Sequence, residues 1–103
     1  MRFINYLFIL FFFISIQESK SGTQFDLGKK IFLEKGNCVT CHTLADTGSQ
    51  ANIGPNLDEI RPDLMRVIVT VTNGIGVMPA YDGQLSTEEI KAVAEYVSEI
   101  AGK

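Results

Sequence analysis

Both cysteines and the only histidine of this 103-residue chain lie within five positions, Cys38-Val39-Thr40-Cys41-His42. Two thiols separated by two residues and followed at once by an imidazole constrain the chain to serve one centre. One helical turn places both sulfurs where they can form thioether bonds to the two vinyl groups on one edge of a haem. The next residue is then carried under the iron as its proximal ligand, which is the attachment pattern of c-type haem. A structural zinc site would need about four Cys or His ligands, and this chain has three at most. A thioredoxin-like dithiol would need a βαβ setting, and no long strand precedes Cys38. A plain disulfide in an exported protein fits the spacing but gives His42 no role.

Residues 1–21 read as a secretory signal rather than as part of a domain. After Arg2 comes an apolar run from Phe3 to Ile16, of the length of a signal-peptide core and short for a membrane span. Ser19 and Ser21 provide small residues for a cut before Gly22, and Ile16 to Ser19 offer a less regular alternative. An uncleaved N-terminal anchor is the competing reading. No cysteine lies near the cut, which excludes a lipid-anchored form. The expected organisation is therefore a signal over 1–21 and one domain over 22–103, exported to the periplasm.

In the part after Gly22 acidic side chains outnumber basic ones. An acidic surface argues against nucleic acid, whose phosphates require a basic face, and against electrostatic attachment to anionic lipid. A domain of this size has a marginal apolar core, which a cofactor commonly supplements. A haem would sit at the centre as the largest apolar object, and the chain without it should be loosely ordered or unfolded.

Along the chain, Asp26 can cap a helix carrying Leu27, Gly28, Ile31, Phe32 and Lys35, ended by Gly36. Gly28 is locally unfavourable inside a helix and suggests that another helix approaches closely there. The haem motif should itself form a short helix. Thr43 to Asn52 has neither helical nor strand periodicity and reads as a surface loop. In Gly54-Pro55-Asn56-Leu57 the proline leaves a carbonyl able to accept a bond from the second nitrogen of His42, although Gly-Pro is also simply a turn. Pro62-Asp63 opens a helix with Leu64, Val67, Ile68 and Val71 at helical spacing, and Asn73-Gly74 stops it. The β-branched run Val67 to Thr72 would suit a strand equally on propensity. Ser86-Thr87-Glu88-Glu89 is a capping box before a last amphipathic helix with Ile90, Val93, Ala94 and Val97 on one stripe.

With no second histidine, a six-coordinate iron needs another donor. Met78, on the glycine-punctuated loop Gly74 to Gly83 and stiffened by Pro79, is the leading choice. Met65 competes, but inside an apolar helix a methionine is usually gap-filling core. An open, five-coordinate iron is the third alternative.

Taken together, these residues resemble the small monohaem class I cytochromes c of the bacterial periplasmic type. The resemblance rests on the CxxCH at Cys38 to His42, on Gly54-Pro55-x-Leu57, on Met78-Pro79-Ala80-Tyr81, and on Gly28 and Phe32 set to cross Val93 and Tyr96. It implies an all-α fold, about three main helices plus short turns wrapped around one covalent haem c. It further implies thioether attachment at Cys38 and Cys41, proximal ligation by His42, a Pro55 carbonyl bond to His42 and distal ligation by Met78. Two departures matter: the lysine ring of the mitochondrial members is absent, and so is a tryptophan that some members use at a haem propionate. Asn56, Arg61, Asn73 and Tyr81 are the candidates for that task.

The function implied is that of a one-electron carrier rather than an enzyme, meeting partners briefly at an exposed haem edge near Val39 and Val77. Its expected donor is a quinol-oxidising complex or a dehydrogenase, and its expected acceptor a terminal oxidase. The mature domain is expected to be a monomer that does not insert into the membrane. The stretch Val71 to Tyr81 also resembles the cytochrome partners of sulfite dehydrogenases, so a bound dehydrogenase subunit is the runner-up. A haem enzyme or gas sensor would need an open iron position.

Overall fold

Helix α1 (Lys20–Leu33) and helix α4 (Thr87–Ile100) cross at a glycine. A Cβ on Gly28 would collide with the Ala92 carbonyl oxygen and come within 2.6 Å of Tyr96 Cβ, so only hydrogen allows the two backbones to approach this closely. On either side of the crossing Phe32, Val93 and Tyr96 are buried, and the rings of Phe25 and Phe32 meet Tyr96 edge-on at centroid distances of 4.9 and 6.1 Å. This computed structural model describes residues 20–103, so residues 1–19 of the expected signal lie outside the described part.

The chain between these helices is laid across their junction. α1 starts earlier than the Asp26 cap that the sequence suggests, and Asp26 is an exposed residue in its interior. The reason is Phe25: its contact with Tyr96 favours helix on the N-terminal side of Asp26, where the local polar sequence alone gives no such signal. A 3₁₀ turn, Cys38–Thr40, follows. The stretch expected to be an irregular surface loop instead contains an antiparallel pair, β1 (Thr43–Leu44) with β2 (Ser49–Gln50), in register Thr43 to Gln50 and Leu44 to Ser49. Between them a second 3₁₀ turn, Ala45–Thr47, ends in left-handed Gly48. Strands of two residues carry no periodicity to read, yet Leu44 is wholly buried and anchors the hairpin in the core.

Helix α2 (Leu57–Ile60), which no pattern in the sequence announced, is capped by Asn56, whose side-chain oxygen accepts from the Asp58 amide at 3.0 Å. α3 (Leu64–Asn73) begins at Asp63, whose carboxylate accepts from the Arg66 amide at 2.8 Å, and ends at Gly74. The β-branched run is thus helical. A strand would put residues 67, 69 and 71 on one face, whereas Val67 and Val71 are buried and Val69 is 51% exposed. The expected capping box of α4 is complete: Glu89 N donates to Ser86 Oγ at 3.1 Å and Ser86 N to Glu89 Oε1 at 2.9 Å.

Two carboxylates tie the hairpin down. Tyr96 donates its hydroxyl to Asp46 at 2.5 Å, and Lys29 pairs with the same carboxylate at 3.1 Å. The Tyr96 bond is the main reason the Asp46 carboxyl lies below its ordinary range, while burial and that same bond push the Tyr96 hydroxyl upward. Asp58 accepts from Ala45 N and Gly102 N, both at 2.8 Å, which joins α2, the hairpin and the chain end.

Since the atoms facing Gly28 are backbone and Cβ, they cannot turn away. Gly28→Ala is expected to lower stability by about 1–3 kcal/mol through overpacking, read as a lower denaturant midpoint than wild type.

Candidate haem site

Gly36 closes α1 by bonding its N–H to the Ile31 carbonyl at 2.7 Å, and left-handed Asn37 (φ 51°) then turns the chain into the CxxCH motif. A Cβ on Gly36 would lie 2.9 Å from that carbonyl and 3.2 Å from Cys38 Sγ, so the missing side chain leaves room for the thiol. His42 N bonds back to the Cys38 carbonyl at 3.0 Å, which closes the turn. Ser49, from β2, sets its hydroxyl 2.6 Å from the His42 carbonyl and 2.9 Å from that of Val39. Sequence reasoning did not single out Ser49; a lone serine in a polar stretch carries no signal until the hairpin brings it to the motif.

His42 Nδ1 donates to the Pro55 carbonyl oxygen at 2.7 Å. A carbonyl can only accept, so this bond fixes the proton on Nδ1 and leaves the Nε2 lone pair free to bind a metal. The fit around the imidazole is close: a Cβ on Gly54 would stand 2.7 Å from His42 Cε1 and 2.9 Å from Nδ1. Gly54 N in turn bonds the Cys41 carbonyl at 2.7 Å, so the Gly-Pro segment and the motif are held as one piece.

Cys38, Cys41 and His42 line a cavity of about 360 Å³ that Met78, Pro79 and Tyr81 also reach. Its apolar wall is drawn from every main helix, with Phe32 of α1, Leu57 of α2, Val67 and Val71 of α3, and Val93 and Val97 of α4. That size falls in the range of small-molecule and cofactor pockets. No disulfide joins Cys38 to Cys41, and burial pushes the Cys38 thiol up to about 12. Among the described residues no group of three His, Cys, Asp or Glu could hold a bare metal ion. Two thiols, one imidazole with a free nitrogen, one thioether and an apolar interior suit a flat, apolar, iron-bearing ring. The residues present therefore fit a covalently held haem.

Met78 sits on a loop that folds back on itself: Ile75 N bonds Met78 O at 3.1 Å and Met78 N bonds Ile75 O at 2.9 Å. Gly74, at φ 70°, makes the tight turn, and a Cβ there would fall 2.6 Å from the Met78 carbonyl oxygen. Met65 is not the core residue that its apolar helix suggested. It is 64% exposed and outside the cavity wall, because two helical residues before Val67 point to nearly the opposite side. Of the four residues proposed for a haem propionate, only Tyr81 lies in the wall, and its hydroxyl donates to Gly36 O at 2.6 Å. Asn56 uses its oxygen as a cap, Arg61 packs beside Gly102, and Asn73 is exposed at the end of α3. Arg66, which the sequence did not mark for this task, is the basic side chain in the wall. Val77 is 87% exposed and Val39 half-buried.

A cavity walled by helices and edged by a CxxCH motif defines a cytochrome c domain, and comparison with known proteins agrees. The family described as "Cytochrome C oxidase, cbb3-type, subunit III" matches residues 23–97. Cytochrome c6 of Leptolyngbya boryana is 37% identical over 82 residues, covering 74% of this chain and 92% of its own. The cbb3-type cytochrome c oxidase subunit FixP of Bradyrhizobium diazoefficiens is 40% identical over 82% of this chain, which spans only 30% of the length of FixP. In structure, the c-type cytochrome SorU from Sinorhizobium meliloti superposes with a TM-score of 0.75 at 54% identity, over 80% of this chain and 95% of that one. The chain belongs to this cytochrome c family and is a small class I cytochrome c with a covalently bound haem c.

Gly54→Ala is expected to push the His42 ring off the Pro55 carbonyl. Imidazole ligation of the thioether-held haem iron should weaken by about tenfold, the usual scale for losing a partner that orients a metal-binding histidine, read as growth of high-spin bands in the visible spectrum.

Proposed function

We propose that the protein is an exported one-electron carrier whose haem is bound through thioethers at Cys38 and Cys41 and ligated by His42 and Met78. The observation that carries this reading is that the free nitrogen of a Pro55-anchored imidazole and the thioether of Met78 belong to one apolar cavity that also holds both thiols. When bound, the haem supplies a one-electron couple. Around it, the chain offers two uncharged donors, each held by backbone bonds, so neither has to move when the charge at the centre changes. The apolar wall excludes water and disfavours the more highly charged ferric state, which together with thioether ligation raises the reduction potential.

Arg66 extends this picture. It is a cation in an otherwise largely apolar wall, and no ion pair to it occurs among the described residues. We assign it as the counter-charge for a haem carboxylate, the task for which Asn56, Arg61 and Asn73 are out of place.

Export to the periplasm rests on the signal reading of residues 1–21 and is in keeping with covalent haem attachment outside the cytoplasm. Among the described residues no helix is long and apolar enough to cross a membrane. The cytochromes c6 and the c-type cytochrome among the relatives support a carrier rather than a catalyst. An acceptor of the terminal-oxidase kind draws support from the FixP subunits, which are oxidase components. A quinol-oxidising complex or a dehydrogenase is the matching donor class, and the domain is taken to meet both as a monomer at the edge near Val39 and Val77.

The ferric holoprotein is expected to show a weak band at the red end of the visible spectrum, from sulfur-to-iron charge transfer, which Met78→Ala abolishes and Met65→Ala leaves intact. A band that survives Met78→Ala would remove this residue from the iron. For Arg66→Gln the reduction potential is expected to fall by on the order of tens of millivolts, because losing a nearby cation stabilises the ferric state. Potentiometric titration checks the sign, and an unchanged potential would argue against the pairing.

A further inference from the structure

The loop carrying Met78 is fastened mostly to itself and to α3. Ile75 and Met78 bond each other, Tyr81 N bonds Val71 O at 2.9 Å, Asp82 N bonds Thr72 O at 3.3 Å, and Gln84 bonds back to Ala80 at 3.0 Å. None of these reaches the part of the chain that holds the thiols and the imidazole. Among the described residues, one hydrogen bond does so: the Tyr81 hydroxyl to the Gly36 carbonyl, at 2.6 Å and across 45 positions of sequence.

Both ends of that bond sit next to the chemistry. Tyr81 is three residues past Met78, and Gly36 is two residues before Cys38. Gly36 is also well fixed. It is buried, its N–H is bonded to Ile31, and α1 beside it is held by the Gly28 crossing and by Lys35 paired with Glu89 at 2.9 Å. Ile75, Val77 and Pro79 line the haem cavity rather than the buried core, and of the residues from Ile75 to Asp82 only Met78 and Tyr81 pack against that core. Segments with few buried apolar contacts open locally at low cost, so a single half-buried hydroxyl bond is a large share of what closes this one.

We propose that Tyr81 is a positioning residue for Met78, its hydroxyl latching the methionine loop to the turn that carries Cys38 and so setting how readily small ligands reach the face that Met78 covers. This rests on Met78 as an iron ligand. The latch is a property of the hydroxyl alone: phenylalanine would fill the same space and leave the Gly36 carbonyl without its partner. When the loop opens, nothing local takes the place of Met78, because the chain has no second histidine and no lysine between Lys35 and Lys91. The rate at which an added small ligand displaces the methionine therefore reports opening directly.

The test follows imidazole binding to the ferric holoprotein by stopped-flow absorbance, at imidazole concentrations high enough that loop opening limits the rate. The variants compared are wild type, Tyr81→Phe and Tyr96→Phe. Tyr96→Phe is the control, since it removes a hydroxyl bond from the hairpin and none from the loop. Tyr81→Phe is expected to keep the sulfur band at rest and to bind imidazole about fivefold faster, the scale of one lost hydrogen bond, while Tyr96→Phe matches wild type. Equal rates in wild type and Tyr81→Phe, or an equal acceleration in both variants, would overturn the latch and leave Met78 as ligand. A wild type without the sulfur band would remove the Met78 reading itself, and the latch with it. Should Tyr81→Phe fail to accumulate, proton NMR of the wild-type holoprotein decides: a Tyr81 hydroxyl proton protected from exchange with water supports the latch, and a hydroxyl in fast exchange overturns it.

Discussion

The close approach of α1 and α4 at Gly28 is the contact on which everything else depends. It buries Phe32 against Val93 and Tyr96, and Phe32, Val93 and Val97 then become the back wall of the cavity. Tyr96 turns its hydroxyl to Asp46, which fixes the hairpin; the hairpin brings Ser49 onto the carbonyls of Val39 and His42. A missing side chain at one crossing is thus linked, through a continuous chain of contacts, to the backbone of the residue after the second cysteine. Burial of apolar surface supplies the driving force, at about 25 cal/mol per Å². The hydrogen bonds decide where that burial places the donors.

The two donors proposed for the iron are held in different ways, which would suit the proposed carrier. His42 is boxed in by Gly54, bonded to Pro55 and backed by Ser49, whereas Met78 lies on an exposed loop secured at its base by α3 and by the Tyr81 hydroxyl. An imidazole and a thioether that stay bound in both iron states, as proposed, would leave little of the surrounding structure to respond. The same domain is used at different scales among relatives. It accounts for most of the length of a cytochrome c6 and less than a third of a FixP subunit. A self-sufficient core around the cofactor makes both uses feasible.

Much of the scaffold is legible in the sequence because its signals are local. Asp63 and Gly74 bracket α3, the Ser86 to Glu89 box starts α4, and the caps match their expected geometry. Gly28 signals a close approach because glycine weakens a helix, a cost that is offset when its bare backbone lets a second helix come near. Other features gave no such signal. The early start of α1 depends on Phe25 meeting Tyr96, a ring 71 positions away, and the hairpin is too short to show a period. Met65 looked like core because an apolar helix hides which of its faces is inward, and propionate partners could not be chosen among polar residues without knowing which ones face the cavity.

What the sequence determined alone is the chemistry: two thiols and one histidine at a spacing that serves a single cofactor, one loop methionine, and an acidic chain without lysines near that loop. Covalent spacing and residue type are properties of a linear chain, so they need no fold to be read. Tertiary structure decided which polar groups accompany that chemistry: Ser49 on the motif, Arg66 rather than Arg61 in the wall, Tyr81 bonded to Gly36. Those assignments compare positions far apart in sequence, and only the packing of α1, α3 and α4 fixes the distances between them.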